Sequence, residues 1–411
     1  MEQPLAWYQR TTTWYAIALI LGICCGYSQN ATLHHIASFL TDVFVRLFQC
    51  ISLPIIALSI IVTLCHYQPE GNMYSIWRKT MTYTFGTTFV AALLAFVLYQ
   101  WIHPALVIQT SKQAVPALLS SDHSYWTYVS GIIPSSILDP FVNHQVFSVL
   151  LLSVVIGCAI RFIPDAEAHQ TIVHFFKGWH SLFVVITHWI IRIIPLGLFG
   201  FIATTIVQLR EGADLGGLGS YLLVIVLANL VQGCIILPIW LYLKGLNPWK
   251  VFRAVLPALT VAFFSKSSVG TLPVTMNAAE KNLGIDPDVS RFIFPLCTSI
   301  NMNGCAAFIF TTVVYLMQNA GVPMTTMSML LWVGIATIAA IGNAGVPMGC
   351  FFLSASLLAS MNVPITLMGV ILPFYTLIDM LETALNVWSD VCVVQVLHHQ
   401  LSKERVLVPS N

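Results

Sequence analysis

Apolar residues run through this chain in long stretches, near 13–27, 38–66, 80–103, 143–162, 171–208 and 216–244, with short polar interruptions between them. A run of about 18 or more such residues is long enough to cross a bilayer as a helix. The pattern changes after residue 250. Residues 250–282 are apolar but interrupted by Phe-Ser-Lys-Ser-Ser-Val-Gly-Thr-Leu-Pro at 264–273. Residues 286–319 are interrupted by Asn-Met-Asn-Gly at 301–304, and 324–361 by Ile-Gly-Asn-Ala-Gly-Val-Pro at 341–347. A last run, 363–398, carries charge in its middle. Between these, 104–140 is the long polar region, with Pro104, Pro116 and Pro134, and reads as an external loop or a broken helix.

Composition turns this pattern into a class. Of 411 residues only 8% are charged and 57% are hydrophobic, where ordinary soluble domains carry roughly 25% charge. The result is an all-α polytopic membrane protein. With 17 Lys and Arg against 16 Asp and Glu, the net charge of +1 supplies no basic field for nucleic acid. The ten cysteines lie in apolar stretches without paired spacing and read as small buried apolar residues. Cationic residues sort into alternate loops. Arg10, Arg78, Lys79, Arg161, Lys177, Lys244, Lys250, Arg253, Lys403 and Arg405 fall on one side, Lys112 and Arg210 on the other. The positive-inside rule then puts both termini in the cytoplasm and requires an even number of crossings. Six early spans plus 286–319 and 363–398 give eight transmembrane helices, so the broken segments 250–282 and 324–361 read as two re-entrant helical hairpins.

Non-helical backbone at membrane depth persists only where protein buries it or a polar cavity faces it. Two matching Gly/Pro-broken segments, each followed by a helix, are the sign of an inverted-repeat transporter with its site between the repeats. The last helix agrees. At about 100° per residue, with Asp379 at 0°, Thr383 lies near 40°, Asn386 near −20°, Asp390 near 20° and Glu382 near −60°. Each acid inside a membrane costs about 2.5–3.5 kcal/mol, so this stripe demands a cavity, a cation or a basic partner. Lys266, in the first break, is the natural partner of Asp379. Backbone around Asn301 and Asn386, with the Asp390 carboxylate, offers the oxygen ligands a hard monovalent cation takes. His34-His35 and His398-His399 sit at span ends without other ligands at metal spacing. Walker A, Gly-x-Ser-x-Gly and His-Glu-x-x-His motifs are absent. The adjacent Lys266 and Ser267 point apart in an extended loop. The chain is therefore read as no enzyme. A channel tolerates re-entrant segments but has no need of ligands on both hairpins and the last helix.

At these residues the sequence closely resembles the dicarboxylate/amino acid:cation symporter family. The likeness rests on Ser-Lys-Ser-Ser-Val-Gly-Thr-Leu-Pro-Val-Thr-Met at 265–276, Asn-Met-Asn-Gly at 301–304, Gly-Asn-Ala-Gly-Val-Pro at 342–347 and Asp-Met-Leu-Glu-Thr-Ala-Leu-Asn-Val-Trp-Ser-Asp at 379–390. The resemblance implies a homotrimer working as an elevator. Residues 1–249 would be mainly scaffold, with the helices near 80–103 and 216–244 joining the transport domain. Residues 250–400 would form that domain's core (hairpin 250–282, broken helix 286–319, hairpin 324–361, final helix 363–398), and 401–411 a cytoplasmic tail. Carried over by position, Asp379 would bind the substrate amino group with carbonyls of Lys266 and Val346. Ser268 and Asn386 would hold its carboxylate, with Ser267, Cys305, Cys350, Glu382 and Thr383 completing the pocket. Cys297, Asn301, Asn386 and Asp390 match a first sodium site, and Ser299, Ile341 and Asn343 a second. Thr87, Thr88 and Asn303 match a third, weakened because Asn303 replaces an aspartate.

The departures bear on substrate. Relatives that take acidic substrates carry an arginine where this chain has Glu382. Two like unit charges about 4 Å apart repel by roughly 4 kcal/mol at an effective dielectric of 20, about three decades in affinity. Cys305 and Cys350 replace a threonine and a glycine that help hold a distal carboxylate in such relatives, which points the same way. The run Glu-Thr-Ala-Leu-Asn at 382–386 is similar to that of serine/threonine symporters. The expectation is a sodium-coupled symporter of a small neutral amino acid (serine, threonine or alanine) with no cofactor, in a bacterial inner membrane. Within the class the alternatives are a cationic side chain or cystine drawn by Glu382, or an acidic or dicarboxylate substrate. A proton carried by Glu382 or Asp390 is the alternative coupling ion.

Overall fold

A computed structural model describes residues 11–65, 73–107, 133–143, 145–210, 216–341, 343, 347–361 and 363–407. Among these residues the secondary structure is helical throughout, without strands. The first helices are α1 (Thr11–Tyr27), α2 (Ala31–Cys65) and α3 (Met73–Ile102), followed by the single turn α4 (Asp139–Val142), α5 (Val146–Ile160) and α6 (Ala166–Arg210). Next comes a helix built from α7 (Gly216–Val231), a π turn (Gln232–Ile236) and α8 (Leu237–Leu243). Then follow α9 (Pro248–Ser265) with α10 (Ser268–Leu283), α11 (Pro287–Ile300) with α12 (Asn303–Asn319), α13 (Thr326–Ile341) with α14 (Gly349–Ser360), and α15 (Thr366–Leu407).

The three predicted breaks fall where the sequence puts them. Five helical stretches among the described residues are long and apolar enough to cross a membrane: Ile76–Ile102, Ala166–Val207, Gly216–Leu243, Pro287–Asn319 and Thr366–Ser402. Five shorter apolar helices accompany them. Several boundaries differ from the apolar pattern, α3 starting at Met73 and not near 80, and α6 at Ala166 and not near 171; for two others the cause is visible. Helix α2 begins earlier than residue 38 because the Asn30 side chain caps it, accepting from Thr32 and Leu33 N–H at 3.0 and 3.4 Å. Helix α15 runs past 398 to Leu407, since Gln400, Lys403, Glu404 and Arg405 are good helix formers and Pro409 is the next breaker. Most of 104–140 lies outside the described residues.

All ten cysteines are free, as expected, but not all are buried: Cys24, Cys50 and Cys234 lie exposed on apolar helices. The outer surface of such a protein is itself apolar, so an apolar residue there has no need to turn inward.

Two large apolar clusters hold the molecule. The first packs residues of α1–α3 and α5–α7 against α12–α14 and the start of α15, with Phe201, Tyr221, Phe308, Phe351 and Tyr375 at its centre. The second joins α8–α11 to the end of α15 through Leu241, Val255, Ala279, Phe294 and Val394. Helix α15 threads both, leaving the first at Ile378 and entering the second at Leu385. The break between α11 and α12 lies on the same seam, with Cys297 in the second cluster and Met302 in the first. The arms α9 and α10 pack on each other and on α15 as a hairpin. The arms of the other broken segment are more divergent, α13 lying chiefly on α3 and α12, and α14 on α2 and α12.

Candidate functional site

The seam between the clusters is where helices end, and the polar groups gather there. Ser265 closes α9, and Lys266 turns left-handed at φ 55°. Ser267 caps α10, its Oγ accepting from Gly270 N–H at 3.0 Å. Met348 is likewise left-handed (φ 64°) just before α14. Such backbone is uncommon for non-glycine residues and concentrates at functional sites. Between α11 and α12, Asn301 and Met302 leave the helical region.

The α15 stripe faces these ends. Asp379, Glu382, Thr383, Asn386 and Asp390 are all buried, as one face of a helix requires. The Asp379 carboxylate accepts from Met348 N–H at 3.2 Å, at the mouth of α14, and its carbonyl accepts from Thr383 Oγ1 at 2.7 Å. Lys266, the expected partner of Asp379, is half-buried in the turn between α9 and α10 and makes no ion pair with it among the described residues. Asn386 reads the mouth of α12: its Oδ1 accepts from Gly304 N–H at 2.9 Å. Its Nδ2 points at Met302 Sδ and Cys305 Sγ, 3.5 and 3.3 Å away. Ser268 is buried in the first turn of α10, which packs on α15.

Glu382 is 1% exposed. One carboxylate oxygen accepts from Tyr375 Oη at 3.3 Å; the other has no hydrogen bond of good geometry, with the Cys350 thiol as its neighbouring donor. A buried oxygen left in that state is rare in folded proteins. Around it stand Cys305 at the start of α12 and Cys350 at the start of α14, both donated to by Asn343 Nδ2 at 2.9 and 3.0 Å. The resemblance puts Asn343 in an ion site; its side chain faces the pocket, donating to these two sulfurs. Val346 lies outside the described residues.

One turn deeper is a second polar group. Asp390 accepts from Asn301 Nδ2 at 2.9 Å and from Thr298 Oγ1 at 3.3 Å. The carbonyl of Cys297 already takes the Asn301 N–H at 2.8 Å. Thr87 on α3 donates to Asn301 Oδ1 at 2.9 Å. Asn303 gives its amide to Asn301 Oδ1 and Ser389 Oγ at 2.9 and 2.8 Å and accepts from Gln232 Nε2 at 2.8 Å. Thr88, the residue after Thr87 on α3, has a buried Oγ1 without a hydrogen-bond partner. Cys297, Asn301, Asp390, Thr87 and Asn303 are thus joined in one hydrogen-bonded group drawn from α3, α11, the α11–α12 break, α12 and α15; Thr88 makes no hydrogen bond to it. Ser299 and Ile341 are half-buried at the ends of α11 and α13, which touch; Ser299 Oγ turns back to the Pro295 carbonyl at 3.1 Å.

Several participants escaped the sequence reading: Gln232, Ser389, Thr298 and Tyr375. Gln232 had a visible signal, since with Asn229 it interrupts an otherwise apolar run. The π turn it opens (Gln232–Ile236) is a device common at functional positions. Tyr375 had none, because a tyrosine among apolar residues looks like core.

Comparison with known proteins gives the family. The profile of the sodium:dicarboxylate symporter family matches residues 12–400. The neutral amino acid transporter B(0) of Homo sapiens is 24% identical over 386 residues, covering 85% of this chain and 71% of that protein. The corresponding protein of Macaca fascicularis is 28% identical over 265 residues, 64% of this chain and 48% of its own length. The neutral amino acid transporter A of Bos taurus is 28% identical over 257 residues, 62% and 48% respectively. The chain thus spans about half the length of most of these relatives.

Proposed function

Because the chain belongs to the sodium:dicarboxylate symporter family, a family of transporters and not of enzymes, we propose that it couples sodium influx to uptake of a small neutral amino acid such as serine, threonine or alanine. The observation that carries the reading is Glu382: a buried carboxylate with one unpaired oxygen in the pocket beside Asp379. An acidic side chain placed there would meet a like charge. A hydroxyl would give the unpaired oxygen its missing donor, and a site built to pair a hydrogen bond discriminates strongly against ligands that leave it unpaired.

In this reading Asp379 takes the substrate ammonium. Ser268 and Asn386 take the carboxylate, at the first turn of α10 and the mouth of α12. Helix N-termini carry partial positive charge and exposed N–H groups, so a carboxylate is favoured there. Asn301, Asp390, Asn386 and the Cys297 carbonyl bind one sodium. Ser299, Ile341 and Asn343 bind another through the oxygens of the α11 and α13 ends, and the Thr87–Thr88–Asn303 corner binds a third only weakly. Sodium bound beside Asp390 would align the α11–α12 break that also positions Asn386, which couples ion to substrate through shared backbone. The chain would cross the membrane eight times with two re-entrant hairpins, termini cytoplasmic, as a homotrimer whose hairpins and last helix move as an elevator in a bacterial inner membrane.

Labelled L-serine uptake into proteoliposomes, with and without an inward sodium gradient and with excess unlabelled aspartate, tests the reading. Sodium-driven uptake that aspartate leaves untouched is the expected outcome. Aspartate uptake with serine ignored would refute the role given to Glu382 and leave Lys266 as the cation neutralising an acidic substrate.

A further inference from the structure

The group of Cys305, Cys350 and Glu382 has a chemistry that amino acid binding does not use. Their two sulfurs and a carboxylate oxygen all lie within 4.8 Å of one another, at 2%, 1% and 1% exposure. Three different elements, α12, α14 and α15, supply them. The Glu382 oxygen left without a hydrogen bond of good geometry has the Cys350 thiol as its neighbouring donor, so the three groups face one another.

We propose that Cys305, Cys350 and Glu382 form a site for a thiophilic divalent cation of the zinc class. Two sulfurs and one oxygen are a borderline-soft donor set that favours zinc or cadmium over sodium, magnesium or calcium. Tetrahedral zinc with bonds of about 2.3 Å to sulfur sets neighbouring sulfurs about 3.8 Å apart, so the donors need close in by only about 1 Å. Met302 Sδ lies 4.0 Å from Cys305 Sγ. The Asn343 amide donates to both sulfurs and the Asn386 amide to that of Cys305, support of the kind that steadies thiolate ligands. On binding, each thiol releases its proton to water as its sulfur–metal bond forms, and nothing is oxidised. The bound ion would tie the start of α14 to α12 and α15 and fill the pocket given above to the substrate side chain. Binding itself is independent of the transport reading; only the consequence, block of uptake, rests on it.

The test uses cadmium on the purified, reduced full-length chain whose exposed cysteines, Cys24, Cys50 and Cys234, have first been alkylated in the folded state, read by the ultraviolet thiolate-to-cadmium absorption and by the sulfur count around the ion from X-ray absorption. Expected are one tightly held cadmium per chain with two cysteine sulfurs, and reversal by EDTA. Cys305→Ser and Cys350→Ser should each weaken binding at least tenfold, while Cys392→Ser, buried in the second apolar cluster, leaves it unchanged. The absorption and sulfur count on the pre-alkylated chain decide the matter even if a serine variant fails to fold. Absence of the band at equimolar cadmium, or a bound ion without two sulfur ligands, overturns the proposal. Loss of serine transport with the cadmium site intact would instead count against the transport reading alone.

Discussion

At the scale of single residues, the site turns on which buried charges have partners. Asp390 is held by two donors and Asp379 by one amide, whereas half of the Glu382 carboxylate is unmatched. Replacing Glu382 by arginine reverses the sign of the pocket. Glu382→Arg is expected to lose serine uptake and gain aspartate binding, measured by competition in proteoliposomes. Like-charge repulsion of roughly 4 kcal/mol at 4 Å makes a change of at least tenfold the least that fits the argument. Asp390→Asn removes the one formal charge from the first ion site, and ligand charge sets cation affinity. Its half-saturating sodium concentration is expected to rise by about tenfold or more, with serine binding at saturating sodium largely kept. An unchanged sodium dependence would remove Asp390 from the ion site.

At the scale of elements, the site exists because helices stop. Helix α12 starts against α15 so closely that a Cβ on Gly304 would lie 2.8 Å from both Asn229 Oδ1 and the Glu382 Cα. Gly304→Ala must part the two helices, at a cost of about 1–3 kcal/mol for overpacking. A lower melting temperature and weaker serine binding are expected; a variant that melts like the parent would show the contact to be slack. Asn303 shows the same logic in the ion network. In Asn303→Asp the Gln232 donor is retained, but an oxygen replaces the amide that faces Asn301 Oδ1 and Ser389 Oγ. Two facing oxygens need a cation between them, so this variant should bind sodium more tightly at the third site. Direct sodium binding by calorimetry should reveal the gain, and a variant whose sodium dependence stays flat would show that the network does not mark an ion site.

At the scale of the whole molecule, α15 crosses two apolar clusters and carries its acids where it passes between them. Broad apolar surfaces on α1, α2 and α6, including Trp14, Phe39 and Trp189, suit lipid or a second copy of the chain. Cross-linking in bilayers is expected to yield a three-subunit species; a monomer that still transports serine would show that one chain is sufficient.

The sequence by itself determined the class and the places of the breaks. Long apolar runs have one economical state in a bilayer, and Ser-Lys-Ser-Ser, Asn-Met-Asn-Gly and the Gly/Pro clusters interrupt helices by local chemistry, which needs no distant partner. The α15 stripe was legible for the same reason, since helical periodicity is a local property. What the tertiary structure decided is which ends meet. Gln232 completing the Asn303 network, Tyr375 reaching Glu382, the Asn343 side chain turning to two sulfurs and the Cys305–Cys350–Glu382 triangle all join residues by packing between helices. Their polar groups are satisfied, or left wanting, only once the two clusters have closed, and no spacing along the chain encodes that.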